Sequence, residues 1–292
     1  MIGKIILKGS IVAIVTPMDN KGSIDFDSFS KLIKFHEDSE TDGIVLVGTT
    51  GESATLNKEE REEIFKFAKD STDIPLMAGI GSSSTLEACE LAGIALKNNI
   101  NECLAVTPYY NKPSQKGLSL HYQELCKTGA NIVLYNVPGR TGVDLLPKTV
   151  LELAEIENIT GIKEAVNTKD RFRELLEVKA IRSEFLLLSG DDPTFVSFMK
   201  EGADGIISVA ANVIPKQIKE LSDLCFSKKF EEAKTINEKY LNFYELLFTE
   251  ASPSPCKFLL EKMSLLENNL RLPLHPLSEE FREKIYEAFS KI

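Results

Sequence analysis

The chain contains 292 residues, 43% of them hydrophobic, and its 34 basic and 44 acidic residues give a formal net charge of −10. This length and composition fit one soluble globular core, and no apolar run reaches the roughly 18 residues that a membrane helix needs. A negative charge without a basic stripe to offset it disfavours nucleic acids and anionic membranes as partners.

The cysteines and histidines exclude further kinds of site. The five cysteines form no CxxC pair, which indicates free thiols in a reducing compartment rather than a disulfide framework. The three histidines lack the spacing of a zinc motif, so we expect no metal site. Residues 1–8 lack the pattern of a signal peptide, and a cytoplasmic location is the expectation.

Short apolar runs alternate with longer amphipathic runs along most of the chain. The predicted strands are 11–15, 43–47, 76–80, 103–107, 132–135, 161–163, 185–188 and 205–209. The helices predicted to follow them are 26–36, 58–69, 85–97, 115–126, 148–155, 170–178, 194–200 and 215–224. Because parallel strands need helical crossovers, this alternation predicts a closed (β/α)8 barrel, also called a TIM barrel.

The strand pattern stops near residue 228. Three further helices are predicted at 231–248, 255–266 and 278–289. The chain is therefore divided into a catalytic barrel, 1–227, and a C-terminal helical extension, 228–292. No linker separates the two parts, so we expect the extension to pack on the barrel or on another subunit.

In barrels of this kind the chemistry lies at the C-terminal ends of the strands. The second predicted strand runs into Gly48, Thr49, Thr50 and Gly51. Two glycines permit a tight turn whose backbone N–H groups and threonine hydroxyls can bind an anion. The alternative is a plain turn that caps the next helix.

Tyrosines follow the fourth and fifth predicted strands. Tyr109 and Tyr110 lie between two prolines on a stiff loop, which suits an interface or a proton relay; packing against the next helix is the alternative. Tyr135 ends the fifth strand, where an inward phenol with a positive neighbour can act as an acid or base. Arg140, in the turn that follows, can grip a carboxylate in bidentate fashion or form a surface salt bridge.

Lys163 in the sixth predicted strand is the sharpest signal. A charged lysine is costly to bury in a barrel strand. If Ile162 faces the helices, strand alternation points Lys163 to the barrel axis. Burial favours the neutral amine, which can attack a ketone. The alternatives are that Lys163 extends out to solvent or pairs with Glu164.

Gly190, Asp191 and Asp192 follow the seventh predicted strand. The glycine allows a ligand to approach the backbone closely. The two aspartates are compatible with a metal site, but capping of the next helix is favoured because aspartate is a preferred N-cap residue.

At these residues the chain resembles the dihydrodipicolinate synthase family, within the wider group that includes N-acetylneuraminate lyase. The motifs are GTTGESATLN, VTPYYNKPSQ, LYNVPGRTG, GIKEA and LSGDD, and they extend from about residue 9 to residue 211. The resemblance implies a lyase that condenses pyruvate with aspartate semialdehyde in diaminopimelate and lysine biosynthesis. It also implies a homotetramer, built as a dimer of dimers, and no cofactor.

The resemblance also implies roles for particular residues. Lys163 matches the Schiff-base lysine and Tyr135 the general acid/base, with Thr49 and Tyr110 as its relay partners. Tyr110 is implied to reach across a dimer interface into the neighbouring site. The implied substrate contacts are Thr50 to the pyruvate carboxylate, Arg140 to the carboxylate of the aldehyde, and the backbones of Gly190 and Ile207 near bound pyruvate.

Feedback-sensitive members of the family bind lysine at the dimer interface, and the residues here that match this allosteric site are Ser53, Ala54, Glu87 and Tyr109. Three positions depart from the pattern: Lys58 and Arg61 replace histidines, and Ser83 replaces asparagine. Because lysine carries a net positive charge, added cations oppose its binding. We therefore expect weak or absent feedback inhibition. The alternatives are that Glu87 still attracts the ligand, or that Lys58 or Arg61 pairs with Glu87 and neutralises it.

Two other functions remain open on the sequence. A sister pyruvate-dependent aldolase that cleaves a sialic acid, another sugar acid or a hydroxy-oxo acid would share Lys163 and Tyr135. Arg140 in the NVPGRTG turn favours the synthases over sialic-acid lyases, although hydroxy-oxoglutarate aldolases can place an arginine there. A non-catalytic pyruvate-binding protein on the same fold is disfavoured because Thr49, Tyr110 and Tyr135 are all present.

Overall fold

The structure is a computed structural model that describes residues 7–292. Eight parallel strands close into a barrel in chain order, with the first strand paired to the last. The strands are β1 Gly9–Ala13, β2 Gly43–Leu46, β3 Leu76–Gly79, β4 Glu102–Val106, β5 Asn131–Asn136, β6 Ile159–Glu164, β7 Leu186–Ser189 and β8 Gly205–Ser208. The predicted (β/α)8 barrel is confirmed.

The helices surround the barrel and continue beyond it. They are α1 Phe26–Glu37, α2 Lys58–Ser71, α3 Thr85–Lys97, α4 Gln115–Cys126, α5 Pro138–Thr141, α6 Pro147–Leu153, α7 Lys169–Ile181, α8 Phe195–Glu201, α9 Pro215–Phe226, α10 Phe230–Leu246, α11 Ser254–Lys262 and α12 Glu279–Phe289. The three helices predicted for the extension correspond to α10, α11 and α12. Within residues 7–292, no helix is both long enough and apolar enough to cross a membrane.

Several predicted boundaries were wrong by a few residues, such as that of β6, which begins at Ile159 rather than at residue 161, and one helix was missed. The first strand begins at Gly9 rather than residue 11, because Gly9 and Ser10 pair with Gly205 and Ile206 of β8 although neither is apolar. The one-turn helix α5 was not predicted at all. Pro138 provides the fixed φ of its first turn, and Gly142, at φ +74°, ends it in the left-handed region.

The strand side chains form two separate apolar clusters. Those that face outward, including Ile162, pack against the helices. Those that face inward fill the barrel and include Val133, Tyr135, Leu188 and Ile207. Since Ile162 belongs to the outer cluster, strand alternation points Lys163 to the barrel axis, as predicted.

The C-terminal extension is attached to the barrel by packing and polar contacts. The Asn237 side chain of α10 donates to the carbonyl of Pro193, ahead of α8, at 3.0 Å. The buried Tyr244 hydroxyl donates in turn to the Asn237 side-chain oxygen at 3.0 Å. The helices after residue 227 pack directly against those before it. The packing therefore does not separate the chain into two parts, and the division at 227/228 stays a prediction. All five cysteines are free thiols, as expected.

Candidate active site

A cavity of roughly 230 Å³ opens at the C-terminal ends of the strands. All eight strands, or the loops that follow them, contribute to its wall. Six residues predicted from the sequence to act in catalysis or substrate binding line it: Lys163, Tyr135, Thr49, Thr50, Arg140 and Gly190. The barrel therefore brings together side chains that are more than a hundred residues apart in the chain.

Lys163 and Tyr135 are neighbours because β5 and β6 pair in a register that sets them side by side. The ammonium nitrogen of Lys163 lies 4.3 Å from the centroid of the Tyr135 ring. Both residues are buried, with Lys163 only 5% exposed, so Lys163 does not extend out to solvent. Among residues 7–292, no carboxylate lies within ion-pair distance of Lys163. The lysine nitrogen therefore faces an aromatic ring and the cavity.

Glu164 points away from Lys163, so the alternative of a pair between them was wrong. Its carboxylate accepts hydrogen bonds from the Asn136 side chain at 3.1 Å and from the Val166 amide at 2.7 Å. Arg171 of α7 approaches it at 3.4 Å and also binds Asp144 at 2.5 Å. Burial raises the pKa of Glu164 to about 7, against the lowering effect of these hydrogen bonds and of Arg171.

The cluster around Glu164 was missed in the sequence. It joins Asn136, Glu164 and Asp144, which follow Tyr135, Lys163 and the Arg140 turn respectively. These contacts hold three parts of the cavity wall from outside the barrel. The available signal was a glutamate on the outward face of a strand whose other outward residues are apolar. A buried charge at such a position requires a partner.

Gly190 provides the space that Lys163 occupies. A Cβ at this position would lie 3.0 Å from Cε of Lys163 and 3.2 Å from the carbonyl oxygen of Glu164. The Gly190 amide also donates to that carbonyl at 2.7 Å. Any side chain here would therefore push either the lysine or the backbone of β6.

We predict that Gly190→Ala lowers kcat/KM for pyruvate by roughly 10-fold to 10²-fold, because a misplacement of about 1 Å can cost that much. The measurement is steady-state kinetics on the folded variant. Gly93→Ala in α3 is the matched control, since a Cβ there would meet no atom within 4 Å. Wild-type kinetics of Gly190→Ala would show that the lysine has more freedom than its contacts indicate.

The loop after β2 is held in an unusual backbone conformation. Val47, which lines the cavity, has φ +55°, a left-handed value that is rare for a β-branched residue. Gly79 makes this possible, since a Cβ there would lie 2.2 Å from the carbonyl oxygen of Val47. Strain of this kind typically persists at functional sites because the surrounding structure imposes it.

The amides of the same loop divide into two groups. Those of Gly51 and Ser53 donate to the carbonyl of Gly48, and the Glu52 amide donates to that of Thr49. No acceptor within residues 7–292 takes a hydrogen bond from the amides of Thr49 or Thr50. The amides of Gly48, Thr49 and Thr50 are therefore the available donors of this turn, and anion binding by it stays a prediction.

Arg140 lies in α5 at the mouth of the cavity and is exposed. No carboxylate of the described residues pairs with it, so the surface salt bridge that the sequence left open is not present in this part of the chain. Its guanidinium can reach an anionic group that enters the cavity.

Two predicted site residues do not line the cavity. Tyr110 is 93% exposed and has φ +74°, so its ring neither packs on the next helix nor reaches the site of its own chain. The Asn111 side chain fixes this loop by donating to the carbonyl of Ser83 at 2.8 Å. Ile207 is fully buried in the barrel interior and belongs to the inward apolar cluster.

Asp191 and Asp192 have different partners. Asp191 lines the cavity and accepts from the amide and hydroxyl of Thr194. The N-cap residue of α8 is Thr194 itself, without a side-chain cap hydrogen bond, so the prediction that an aspartate caps this helix was wrong. Asp192 does not cap that helix. Its buried carboxylate accepts from the Ser208 hydroxyl and from the amides of Val209 and Ala210, and so ties β7 to β8. Within residues 7–292, no three His, Cys, Asp or Glu side chains are grouped to hold a metal.

Other residues of the cavity wall were not predicted to lie there, and Ser53 and Phe248 are two of them. Ser53, assigned from the sequence to the allosteric group, lines the cavity itself. Phe248, just after α10, brings the C-terminal extension to the cavity mouth. No local pattern indicates that a residue more than two hundred positions after β1 would return to this point.

The predicted allosteric residues lie around α2, α3 and the Tyr109 loop. Lys58 forms an ion pair with Glu90, which raises the pKa of the lysine, rather than with Glu87. Arg61 is buried, and its guanidinium donates to the carbonyls of Ser53 at 2.6 Å and Leu56 at 3.3 Å. The remaining members are Ala54, Ser83, Glu87 and Tyr109, of which Ala54, Ser83 and Tyr109 are exposed.

Comparison with known proteins identifies the family. The model of the Dihydrodipicolinate synthetase family matches residues 6–292. The chain belongs to this family. The 4-hydroxy-tetrahydrodipicolinate synthase of Stutzerimonas stutzeri is 46% identical over 285 residues, which cover 97% of each chain.

Solved structures of the family have the same fold. A chloride-inhibited dihydrodipicolinate synthase from Acinetobacter baumannii, complexed with pyruvate, is 44% identical with a TM-score of 0.94, covering 97% of this chain and 98% of that chain. A protein described as a monomeric dihydrodipicolinate synthase variant is 39% identical with a TM-score of 0.95, covering 98% and 97% of the two chains.

Proposed function

We propose that this chain is a 4-hydroxy-tetrahydrodipicolinate synthase, which condenses pyruvate with L-aspartate 4-semialdehyde through a Schiff base on Lys163. The observation that carries the proposal is a buried lysine nitrogen, without a carboxylate partner among residues 7–292, that faces Tyr135 and a cavity at the strand ends. The relatives named 4-hydroxy-tetrahydrodipicolinate synthase support the reaction, and a solved relative complexed with pyruvate supports the first substrate. The aldehyde substrate is taken from the resemblance to the family.

The reaction begins at the lysine nitrogen. The neutral amine adds to C2 of pyruvate, and loss of water gives an imine. Removal of a proton from C3 gives the enamine, and the imine nitrogen takes up the electron pair. The enamine carbon attacks the aldehyde carbon, whose oxygen is protonated to a hydroxyl. The amino group of the former aldehyde substrate then attacks C2, which closes the ring and releases Lys163.

Each step requires a proton to arrive or leave at a defined atom. Tyr135 is assigned to move it, and the contact of its ring with Lys163 supports this assignment. Thr49 lines the same cavity, and Tyr110 is assigned to the relay from a neighbouring subunit. Thr50 is assigned to the pyruvate carboxylate and Arg140 to that of the aldehyde. The backbone atoms of Gly190 and Ile207 are assigned to contacts near bound pyruvate.

The test is a coupled assay of pyruvate with L-aspartate 4-semialdehyde, run beside cleavage assays with sialic acid, a keto-deoxy sugar acid and hydroxy-oxoglutarate. We expect turnover in the first assay only. Preferential cleavage of one of the acids would make this chain a sister aldolase. A borohydride-trapped pyruvate adduct without turnover in any assay would indicate a pyruvate-binding protein.

Assembly is part of the proposal, because Tyr110 does not reach the cavity of its own chain. We propose a homotetramer, a dimer of dimers, in which Tyr110 completes the site of the partner. We also infer a cytoplasmic location, since free thiols suit a reducing compartment.

We predict that Tyr110→Phe and Lys163→Ala, each inactive alone, regain activity when subunits are mixed. One site of each mixed dimer then combines an intact Lys163 with an intact Tyr110. Mixing Tyr135→Phe with Lys163→Ala is the matched control, because Tyr135 lines the cavity of its own chain and no intact site can form. Equal behaviour of the two mixtures, or full activity of a stable monomer, would contradict the shared site.

We predict weak or absent inhibition by lysine. Arg61 stays between the carbonyls of Ser53 and Leu56, which leaves a fixed cation opposed to a cationic ligand. The measurement is a lysine titration at saturating pyruvate. Half-inhibition well below about 1 mM, the top of the usual KM range, would mean that the site accepts lysine despite Lys58, Arg61 and Ser83.

A further inference from the structure

A buried ion pair joins the C-terminal extension to the loop after β2. The ammonium group of Lys257 in α11 contacts the carboxylate of Glu52, and both side chains are 0% exposed. Lys257 also donates to the carbonyl of Asn269 at 2.7 Å, and the second carboxylate oxygen of Glu52 accepts from the Arg271 amide at 3.1 Å. Burial lowers the pKa of Lys257, against the raising effect of Glu52.

Stability alone is a poor explanation for such a pair. Removing two charges from water costs about as much as their attraction returns, and apolar replacements of similar volume often stabilise a protein. What a buried pair does impose is a unique geometry, because neither charge tolerates the loss of its partner.

The geometry that this pair imposes is that of the loop bearing Thr49 and Thr50. Glu52 follows those threonines by two residues and has φ +57°, a left-handed conformation that an unrestrained glutamate rarely adopts. The carbonyl of Gly51, the residue before Glu52, accepts a hydrogen bond from the hydroxyl of Thr16 at 2.7 Å.

Arg271 extends the same contact along the loop. Its guanidinium donates to the Thr55 carbonyl at 2.7 Å and to the Glu60 carboxylate at 2.8 Å, beyond the far end of the loop. The C-terminal extension therefore holds the segment that follows Thr49 and Thr50 at two places, Glu52 and Thr55.

We propose that Glu52 and Lys257 are positioning residues, which hold the Thr49–Thr50 loop in the conformation that receives the pyruvate carboxylate. The inference rests on the proposed function, because it takes Thr50 as the carboxylate contact and Thr49 as part of the relay. It gives the C-terminal extension a part in binding the first substrate, through a loop other than the one that carries Arg140.

The variants are Lys257→Met, Glu52→Gln and the double variant, which removes both charges and so leaves none unpaired. We expect KM for pyruvate to rise by about 10-fold or more, since a displaced contact costs that much, and borohydride trapping at Lys163 to slow in parallel. KM for the aldehyde stays within about twofold, because Arg140 lies on a separate loop. A mere loss of folded protein would lower kcat and leave both KM values unchanged.

Lys200→Met is the matched control. Lys200 of α8 pairs with Glu231 of α10 at 2.7 Å and so also joins the barrel to the extension, but at the surface and away from the loop. We expect its KM values to match those of the wild type. Wild-type KM for pyruvate in any folded Glu52 or Lys257 variant would overturn the inference. If only the double variant or only Glu52→Gln folds, the KM for pyruvate of that variant tests the inference.

The wild-type protein separates this inference from the proposed function. Absence of a borohydride-trapped pyruvate adduct in the wild type would contradict the proposed function itself. A wild type that forms the adduct at Lys163, with variants that bind pyruvate equally well, would contradict only the positioning role.

Discussion

Lys163→Ala is expected to lose the pyruvate adduct entirely and to lower kcat by about 10³-fold or more, because no other group can form the covalent intermediate. Among residues 7–292, Lys163 is the only lysine that lines the cavity, and its nitrogen faces Tyr135 rather than a carboxylate. Borohydride reduction in the presence of pyruvate should add mass to the wild type at one peptide, the one that contains Lys163.

The control for this variant is Lys169→Ala, an exposed lysine at the start of the helix that follows β6. It should keep both the adduct and the turnover of the wild type. Equal labelling of the Lys163→Ala protein would remove the central claim, since the imine would then form on another amine.

Tyr135→Phe is expected to lower kcat by roughly 10²–10⁴-fold, the usual contribution of a positioned acid or base. The substitution keeps the ring over which Lys163 lies at 4.3 Å and removes only the hydroxyl. The variant should therefore retain the fold and the capacity to form the imine, while the later proton transfers slow down. Single-turnover trapping beside steady-state assays distinguishes the two stages.

Tyr122→Phe provides the comparison. Tyr122 is another buried tyrosine, but its hydroxyl donates to the Ala105 carbonyl at 3.1 Å on the outer side of the barrel. Its loss should cost about 1 kcal/mol of stability and leave kcat unchanged. Near-wild-type turnover of Tyr135→Phe would show that the proton path runs elsewhere.

The order of the strands and six residues of the cavity wall could be read from the sequence. Strands and helices have different apolar periods, and these periods depend only on residues a few positions apart. Because strand alternation is local, the direction of Lys163 followed from the side on which Ile162 packs. The closure of the barrel then placed Tyr135, Thr49, Thr50, Arg140 and Gly190 around the same cavity.

Other features became visible only when distant segments met. β1 includes Gly9 and Ser10 because of pairing with β8, which no local apolar pattern shows. The left-handed conformation of Val47 depends on the absence of a Cβ at Gly79 on the neighbouring strand. The carboxylate of Asp192 accepts hydrogen bonds from the amides of Val209 and Ala210, just after β8, rather than from the start of α8.

By itself the sequence determined the (β/α)8 alternation and the resemblance to the family, because both depend on short-range patterns. It predicted an inward Lys163 only on the condition that Ile162 faces the helices, which the packing of Ile162 then decided. The tertiary structure alone decided which charges share a buried environment. Glu164 meets Arg171 and Asp144 behind the cavity, and Glu52 meets Lys257 across 205 positions of the chain. Such pairs form because a buried charge must find a partner wherever the closed fold brings one within reach, and sequence separation plays no part in that requirement.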